Sequence, residues 1–597
     1  MSAEELSTFT RLLQQSGLED KMRRLEERVV QLEQQLLDSK VPRSPAKPGA
    51  AAAPVDISTP SNGNGKSDIK SMDHGFTSPD FSKIEYSTVV GWTEKQFTEQ
   101  LRKLDLHQWG IRFGETIALM IPNGQKAALV LSASINRYCA VPFDPMAPAE
   151  NIAAALRRIK PRCLLALAGP KAKDIGTQTG VPVIELQSHP DSELSAAGGW
   201  SLPPPPRGAP AAYRGPEREP NGPDSVVLVL QTSGTTSTPK LVTFTSLRLH
   251  ECGCALAASM KLDESDVGLN VMPLHHVGGI ACNLMAPMVS GGRMLFSVFG
   301  NAKTWFDKAC NPDNKVTWSY AAPAIWSSLL KHCETNPVPA HTLRILRSGA
   351  ASLPHADAQK LRSVVGHNGR TCVLPTYSMT ECMPVCSPPL GYALEKPGSV
   401  GMPCNGLDLR IRSTKGEDAK LQPGEMGDIH LVSGPQLFIG YGKDQTFAPR
   451  EVHFPTGDRG HADAEMWISL TGRAKEVINR GGELLSPFEI EEACADAAGQ
   501  TVMAFSAPHT ELGEIVALAV PKGTRATLTE IHRAAMKKLT MQALPQVLVV
   551  VDALPRTNGT GKLQRVGYAE KIGLPAFDDL ERKTYHQQQG GKLRLVQ

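Results

Sequence analysis

Residues 231 to 240, QTSGTTSTPK, place hydroxyls, one glycine and a terminal lysine directly behind the apolar run VVLVL. Backbone N–H groups around Gly234, the hydroxyls of Thr232, Ser233, Thr235 and Thr236, and the Lys240 ammonium can together surround a polyphosphate. Taken alone, the composition also describes a Ser/Thr-rich surface turn. A Walker loop would need a glycine immediately before its lysine and a helix after it. Here Pro239 precedes Lys240, and LVTFT (241–245) reads as a strand. The segment is a phosphate loop of another kind.

Four further segments follow: TYSMTE (376–381), TGD (456–458), GRAKEVINRGGELLSPFEIEE (472–492) and LPRTNGTGK (554–562). In that order, behind QTSGTTSTPK, they resemble the adenylate-forming superfamily of acyl-CoA synthetases, luciferases and adenylation domains, over roughly residues 75 to 575. EKPGSVGMPCNG (395–406) is most similar to oxalate- and coumarate-type CoA ligases. The resemblance implies an acid–thiol ligase that uses ATP, Mg²⁺ and coenzyme A, with a small-molecule carboxylate as substrate. It assigns Tyr377 to the adenine, with Gly349 and Ala350 of SGAAS in the same wall, Thr376 among the nucleotide contacts and Thr380 beside the phosphates. Asp458 becomes the ribose ligand and Arg473 a second nucleotide contact. Glu381 holds the metal, His276 gates the carboxylate, and Lys240 and Lys562 neutralise the phosphates. Lys475 marks a hinge, and Arg480, Gly481 and Gly482 form the face that admits the thiol. Transfer to a carrier-protein phosphopantetheine, or a degenerate nucleotide-binding scaffold, are the alternatives.

The chemistry asks little of the side chains as bases. A carboxylate is already ionised near pH 7, because ordinary carboxyl pKa values lie near 4. Attack on the α-phosphate needs alignment and cations aimed at developing negative charge. Lys240, Lys562 and a metal on Glu381 are the candidates.

VMPLHHVGGIACNLMAPMVSGG (271–292) corresponds to the acyl-pocket wall of the family. Adjacent side chains of an extended chain point oppositely, so His275 and His276 are expected to be poor joint metal ligands. From Val267 to Phe306 there is no Asp or Glu to pair a substrate ammonium, which favours a small or medium acid without an amino group. Three positions depart from the family pattern: Ser237 replaces a glycine, one extra residue lies between Thr557 and Gly561, and Gln231 replaces an aromatic.

The elements that must position these residues follow from periodicity. TIALMIP, CLLALA, VPVIEL and VVLVLQ alternate with helix-like stretches, which predicts an α/β fold with βαβ units around a largely parallel sheet. The chain divides into a coiled-coil helix (1–40), a Pro/Ala/Gly/Ser-rich disordered linker (41–70), a large α/β domain (71–471) and a small α/β domain (472–597), which the resemblance implies is mobile. Leu18, Met22, Leu25, Val29, Leu32 and Leu36 alternate spacings of four and three, the seam of a short self-associating helix over 18–36. With 63 basic and 60 acidic residues and a net charge of +3, no field demands nucleic acid or a membrane surface. No apolar run is long enough for a membrane span. Twelve scattered cysteines without metal spacing, and no signal-like N-terminus, point to a reducing, cytoplasmic setting. A chain lacking residues 1 to 66 is expected to keep its turnover and to change its oligomeric state, read as molar mass by light scattering; an unchanged number of chains per particle would refute the coiled coil.

Overall fold

The apolar runs become strands because each is short, rich in branched residues and bounded by Gly, Pro or Asn. The computed structural model describes residues 104–188, 200–205, 222–232, 239–297, 301–367, 370–413, 421–443, 446–449, 453–556, 562–588 and 592–596. The heptad helix and the linker after it lie outside them. β1 (Thr116–Met120), β2 (Cys139–Pro142), β3 (Leu164–Leu167) and β4 (Val183–Ser188) run parallel, with β1 between β2 and β3. Parallel neighbours need crossovers, supplied by α1 (Gln125–Arg137), α2 (Ala149–Ile159) and α3 (Pro170–Thr179). α1 is buried continuously from Ala127 to Ile135, as a helix enclosed on all sides must be apolar all round.

β5 (Val226–Gln231) lies parallel to β2, then returns as β6 (Leu241–Thr245), antiparallel from Val226 opposite Thr245 to Gln231 opposite Leu241. The hydroxyl-rich segment therefore closes a hairpin. Its neck is tied twice: the Thr232 amide donates to the Lys240 carbonyl at 2.9 Å, and the Lys240 amide to Thr232 Oγ1 at 3.0 Å. α4 (Ser246–Met260) starts only after β6, capped by the Thr245 hydroxyl, as the exclusion of a Walker loop requires.

A second parallel sheet contains β7 (Val267–Asn270), β8 (Arg293–Phe296), β9 (Trp318–Ala321), β10 (Ile345–Ser348) and β11 (Cys372–Pro375), in the order β11-β10-β9-β7-β8. Asn270, Tyr320, Arg347 and Leu374 stand side by side across it. Between β7 and β8 the chain forms a π-helical stretch, Gly278–Met285. Gly279 is required there, since a Cβ would sit 2.1 Å from the Pro273 carbonyl oxygen.

β12 (Tyr377–Met379) pairs antiparallel with β13 (Cys382–Ser387), so Thr380 and Glu381 form the turn of a hairpin. TYSMTE is thus no helix N-terminus, and neither Ser378 nor Thr380 caps one: the buried run CMPVCS needs a strand partner, and Tyr377 to Met379 supply it. β14 (Gly440–Lys443) adds to the free side of β6. β15 (Phe454–Ala462) and β16 (Ile468–Arg473) are antiparallel and set Asp458 opposite Arg473.

The core of the large domain extends to Ile468, and separate apolar clusters between Ile478 and Tyr585 make the small one. There β17 (Ile478–Arg480) and β18 (Glu483–Leu485) are joined by Gly481 (φ +60°) and Gly482 (φ +95°), a two-residue turn that only left-handed backbone allows. α5 (Pro487–Ala498) follows, capped by Ser486. Among the described residues no helix is long and apolar enough to cross a membrane, and no disulfide joins any of the twelve cysteines.

One buried ion network ties this domain together. Arg565 grips both oxygens of Glu491 on α5, at 2.9 and 2.8 Å, reaches Glu476 at 3.1 Å, and stacks on Phe488 with its guanidinium 5.0 Å from the ring centre. Burial raises the Glu491 carboxyl above its ordinary value, with Arg565 opposing. Arg565→Met would leave two enclosed carboxylates without their cation, a loss of about 3–5 kcal/mol at neutral pH. A carboxyl raised in the folded state stabilises below its unfolded pKa and loses that as pH rises. The deficit in urea melts is therefore expected to narrow between pH 7.5 and pH 5; a pH-independent deficit would contradict the network.

Candidate active site

The hairpin neck, the β12–β13 turn and β14 converge on one chain of contacts. Lys240 Nζ donates to the Tyr441 hydroxyl at 3.4 Å and lies 4.5 Å from the centre of its ring. The Tyr441 hydroxyl in turn donates to Glu381 Oε1 at 2.8 Å. Glu381 is only 7% exposed, yet it has no basic partner in an ion pair among the described residues. Burial and the adjacent Glu381 carboxylate keep the Tyr441 phenol protonated. Among the described residues no group of three His, Cys, Asp or Glu could cage a metal. A lone buried carboxylate suits Mg²⁺, which keeps several waters and takes one or two carboxylates together with phosphate oxygens.

The second constellation is built on β12, β15 and β16. The Tyr377 hydroxyl donates to Asp458 Oδ2 at 2.5 Å, and Arg473 Nε lies 3.2 Å from Asp458 Oδ1. Asp458 is buried, so these partners hold its carboxylate in place, while two of its roughly four lone-pair sites stay open to diol hydroxyls. Burial first and the Asp458 charge second push the Tyr377 phenol well above its usual value. Gly349 and Thr376 close the neighbouring wall: Thr376 Oγ1 donates to the Ser348 carbonyl at 2.7 Å, and a Cβ on Gly349 would stand 2.7 Å from the Tyr320 hydroxyl. Ala350 adopts φ +69°, left-handed backbone, and is half-buried against the core.

Lys562 comes from the small domain into this region. Its ammonium is pushed below the usual lysine value by burial and by Arg473, and is drawn back by Asp458, Glu476 and Glu381. The same charge reaches His276, which burial, His275 and Lys562 push down to about 3. His275 is pushed down to about 4 by burial. Both imidazoles are neutral at working pH, and the Nε2 of each is enclosed with no hydrogen-bond partner among the described residues. The histidines do not lie on extended chain: they occupy the turn leading into the π-helix, and their rings are 4.4 Å apart. The expectation of opposite orientation is corrected on this point, because a turn brings successive side chains together where a strand separates them.

Ser233, Gly234, Thr235 and Thr236 lie outside the described residues, as do Ser237 and Thr557 to Gly561. Thr232 stands at the hairpin neck, and Thr380 is half-buried in the turn beside Glu381. Lys475 is exposed just past Arg473. Arg480, Gly481 and Gly482 belong to the sheet of the small domain, where the Gly481 amide donates to the Leu512 carbonyl at 2.9 Å and Gly482 is exposed. The structure also brings in residues that the motifs did not mark: Tyr441, Tyr320, Glu476 and Arg565. Tyr441 sits in FIGYGK, a Gly-flanked aromatic whose only local signal is that punctuation.

A family model for AMP-binding enzymes matches residues 92–442. An oxalate–CoA ligase of Saccharomyces cerevisiae is 33% identical over 354 residues, 58% of this chain; the chain spans 63% of that ligase's length. A sulfoacetate–CoA ligase of Cupriavidus necator is 30% identical over 473 residues, 76% of this chain and 87% of the relative. The crystal structure of ATP-bound MatB from Rhodopseudomonas palustris superposes with a TM-score of 0.67 at 22% identity, over 80% of this chain and 93% of that one, which shows a shared fold. Tyr441→Phe is expected to lower kcat/KM for MgATP by about tenfold, since a hydrogen bond to a charged group contributes roughly 1.5 kcal/mol or more. A magnesium titration of initial rates checks it, and an unchanged magnesium requirement would dismiss the bridge.

Proposed function

The chain belongs to the AMP-binding enzyme family, and from that premise we propose how its own residues divide the work. The enzyme is an acid–thiol ligase. A carboxylate and ATP give an acyl adenylate and pyrophosphate, and coenzyme A then displaces AMP to give the thioester. The observation that carries the division of labour is the Lys562 ammonium, held by the small domain within the field of Asp458, Arg473 and Glu381.

Asp458 receives the ribose hydroxyls, with Tyr377 and Arg473 holding the carboxylate at a fixed angle. Lys240 takes the outer phosphates. Mg²⁺ on Glu381 supplies charge neutralisation at the phosphates when bound. His276, neutral at every working pH, stands beside the incoming carboxylate without repelling or trapping it. The attacking carboxylate oxygen forms the bond to the α-phosphorus, pyrophosphate leaves, and Lys562 offsets the charge that builds on the α-phosphate oxygens. Lys475 then serves as the hinge about which the small domain turns, withdrawing Lys562 and presenting Arg480, Gly481 and Gly482 to the pantetheine arm.

The acid is short and carries a second anionic group. The lack of any Asp or Glu from Val267 to Phe306 supports an acid without an ammonium, and relatives that act on oxalate and sulfoacetate support the second charge. Twelve cysteines outside any disulfide support a reducing, cytoplasmic setting. An ATP–pyrophosphate exchange panel of mono- and dianionic acids tests the whole reading, and no acid-dependent exchange with any member would end it. Lys562→Ala is expected to slow adenylate formation by about 10²-fold or more while sparing thioester formation from presynthesised acyl adenylate. Quenched single-turnover assays of the two half-reactions separate these outcomes; equal loss in both would remove the hinge from the mechanism.

A further inference from the structure

Arg347 is completely buried on β10, two residues before Gly349. Its Nη1 donates to Ser259 Oγ at 3.1 Å and to Ser387 Oγ at 3.3 Å. Both hydroxyls spend their own protons on carbonyls, of Leu256 at 2.8 Å and Pro388 at 3.2 Å. One end of the guanidinium is thereby anchored by neutral oxygens. Nε and Nη2 are enclosed and have no acceptor among the described residues. Those two N–H groups form one edge of the guanidinium, the two-donor fork that takes a carboxylate side-on. A buried charge without an acid is costly to hold, and an anion on this edge would offset that cost.

Its position matches the acyl side of the site. Tyr320 is in register with Arg347, and its ring lies within 2.7 to 3.0 Å of where a Cβ would stand on Gly349 and on Gly278. The Tyr320 phenol thus packs against a glycine of the acyl wall and a glycine of the nucleotide wall, and Arg347 is its neighbour on the next strand. Cys282, on the π-helix that forms the acyl wall, lies close enough to feel the guanidinium: burial pushes its thiol up to about 12, with Arg347 pulling the other way. His275 and His276 are neutral, and the wall from Val267 to Phe306 carries no acid to compete for the fork.

We propose that the Nε–Nη2 edge of Arg347 receives the second anionic group of a short dianionic acid, which makes Arg347 the residue that selects such acids over monocarboxylates. This rests on the acid–thiol ligase reading above and names its specificity determinant. The test compares full-length wild type with Arg347→Met and Arg347→Lys on oxalate, malonate and sulfoacetate against acetate and propionate, by pyrophosphate exchange, with AMP binding and melting temperature followed in parallel.

Arg347→Met is expected to lower kcat/KM for the dianionic acids by about 100-fold, mostly through KM, and to leave monocarboxylates within about threefold. Arg347→Lys is expected to recover part of the dianion loss, since it keeps the charge and loses the fork. Equal loss for both acid classes, or unchanged dianion turnover, would overturn the role of Arg347 and leave the ligase reading intact. A wild type that turns over monocarboxylates alone would do the same. Exchange with no acid at all would instead fell the ligase reading, and this proposal with it. Should Arg347→Met fail to fold, the ratio between acid classes in Arg347→Lys decides: an unchanged ratio overturns the proposal.

Discussion

One electrostatic constraint organises this molecule: an ammonium belonging to one hydrophobic core must be delivered into the field of carboxylates belonging to another. Lys562 is carried by the small domain, yet besides burial its ammonium feels Arg473, which pushes it down, and Asp458, Glu476 and Glu381, which draw it back. Such delivery works only if both cores are stiff at the point of contact. On the large side, Asp458 is fixed by Tyr377 and by the β15–β16 register that sets it opposite Arg473. On the small side, Arg565, three residues after Lys562, clamps the segment to α5 through Glu491 and to the stretch after Arg473 through Glu476. The Arg565 clamp therefore holds Lys562 by the same segment that leads out of the large domain.

Polar groups in the site are partnered in series. Lys240 gives to Tyr441, which gives to Glu381, so a cation meant for phosphate and a carboxylate meant for metal are held apart by one neutral hydroxyl. Without Tyr441 between them, Lys240 and Glu381 would be free to form a direct ion pair, which would compete with both ligands. Arg347 contrasts with this arrangement: it is pinned at one end and open at the other. His275 and His276 are kept neutral by burial, so the positive charge near the acyl wall comes from Arg347 and Lys562.

Much of this was legible residue by residue. TIALMIP, CLLALA, VPVIEL and VVLVLQ became β1, β3, β4 and β5, because short branched runs between breakers have no other way to bury themselves. Pro239 before Lys240, and LVTFT as a strand, ruled out a Walker loop, and β6 agrees. One reading failed on context: the paired histidines read as extended and lie in a turn.

The sequence by itself carried the α/β alternation, an acyl wall without acids and, through the resemblance of five ordered motifs to adenylate-forming enzymes, the adenylation of a carboxylate, because each rests on residue type and local spacing. Only the tertiary structure decided that Lys240 meets Tyr441 across 201 positions, that Tyr377 holds Asp458 across 81, and that Arg347 is buried without an acid. The physical reason is that local periodicity is written in neighbouring residues, whereas a buried charge acquires its partners, or lacks them, only when distant segments pack together.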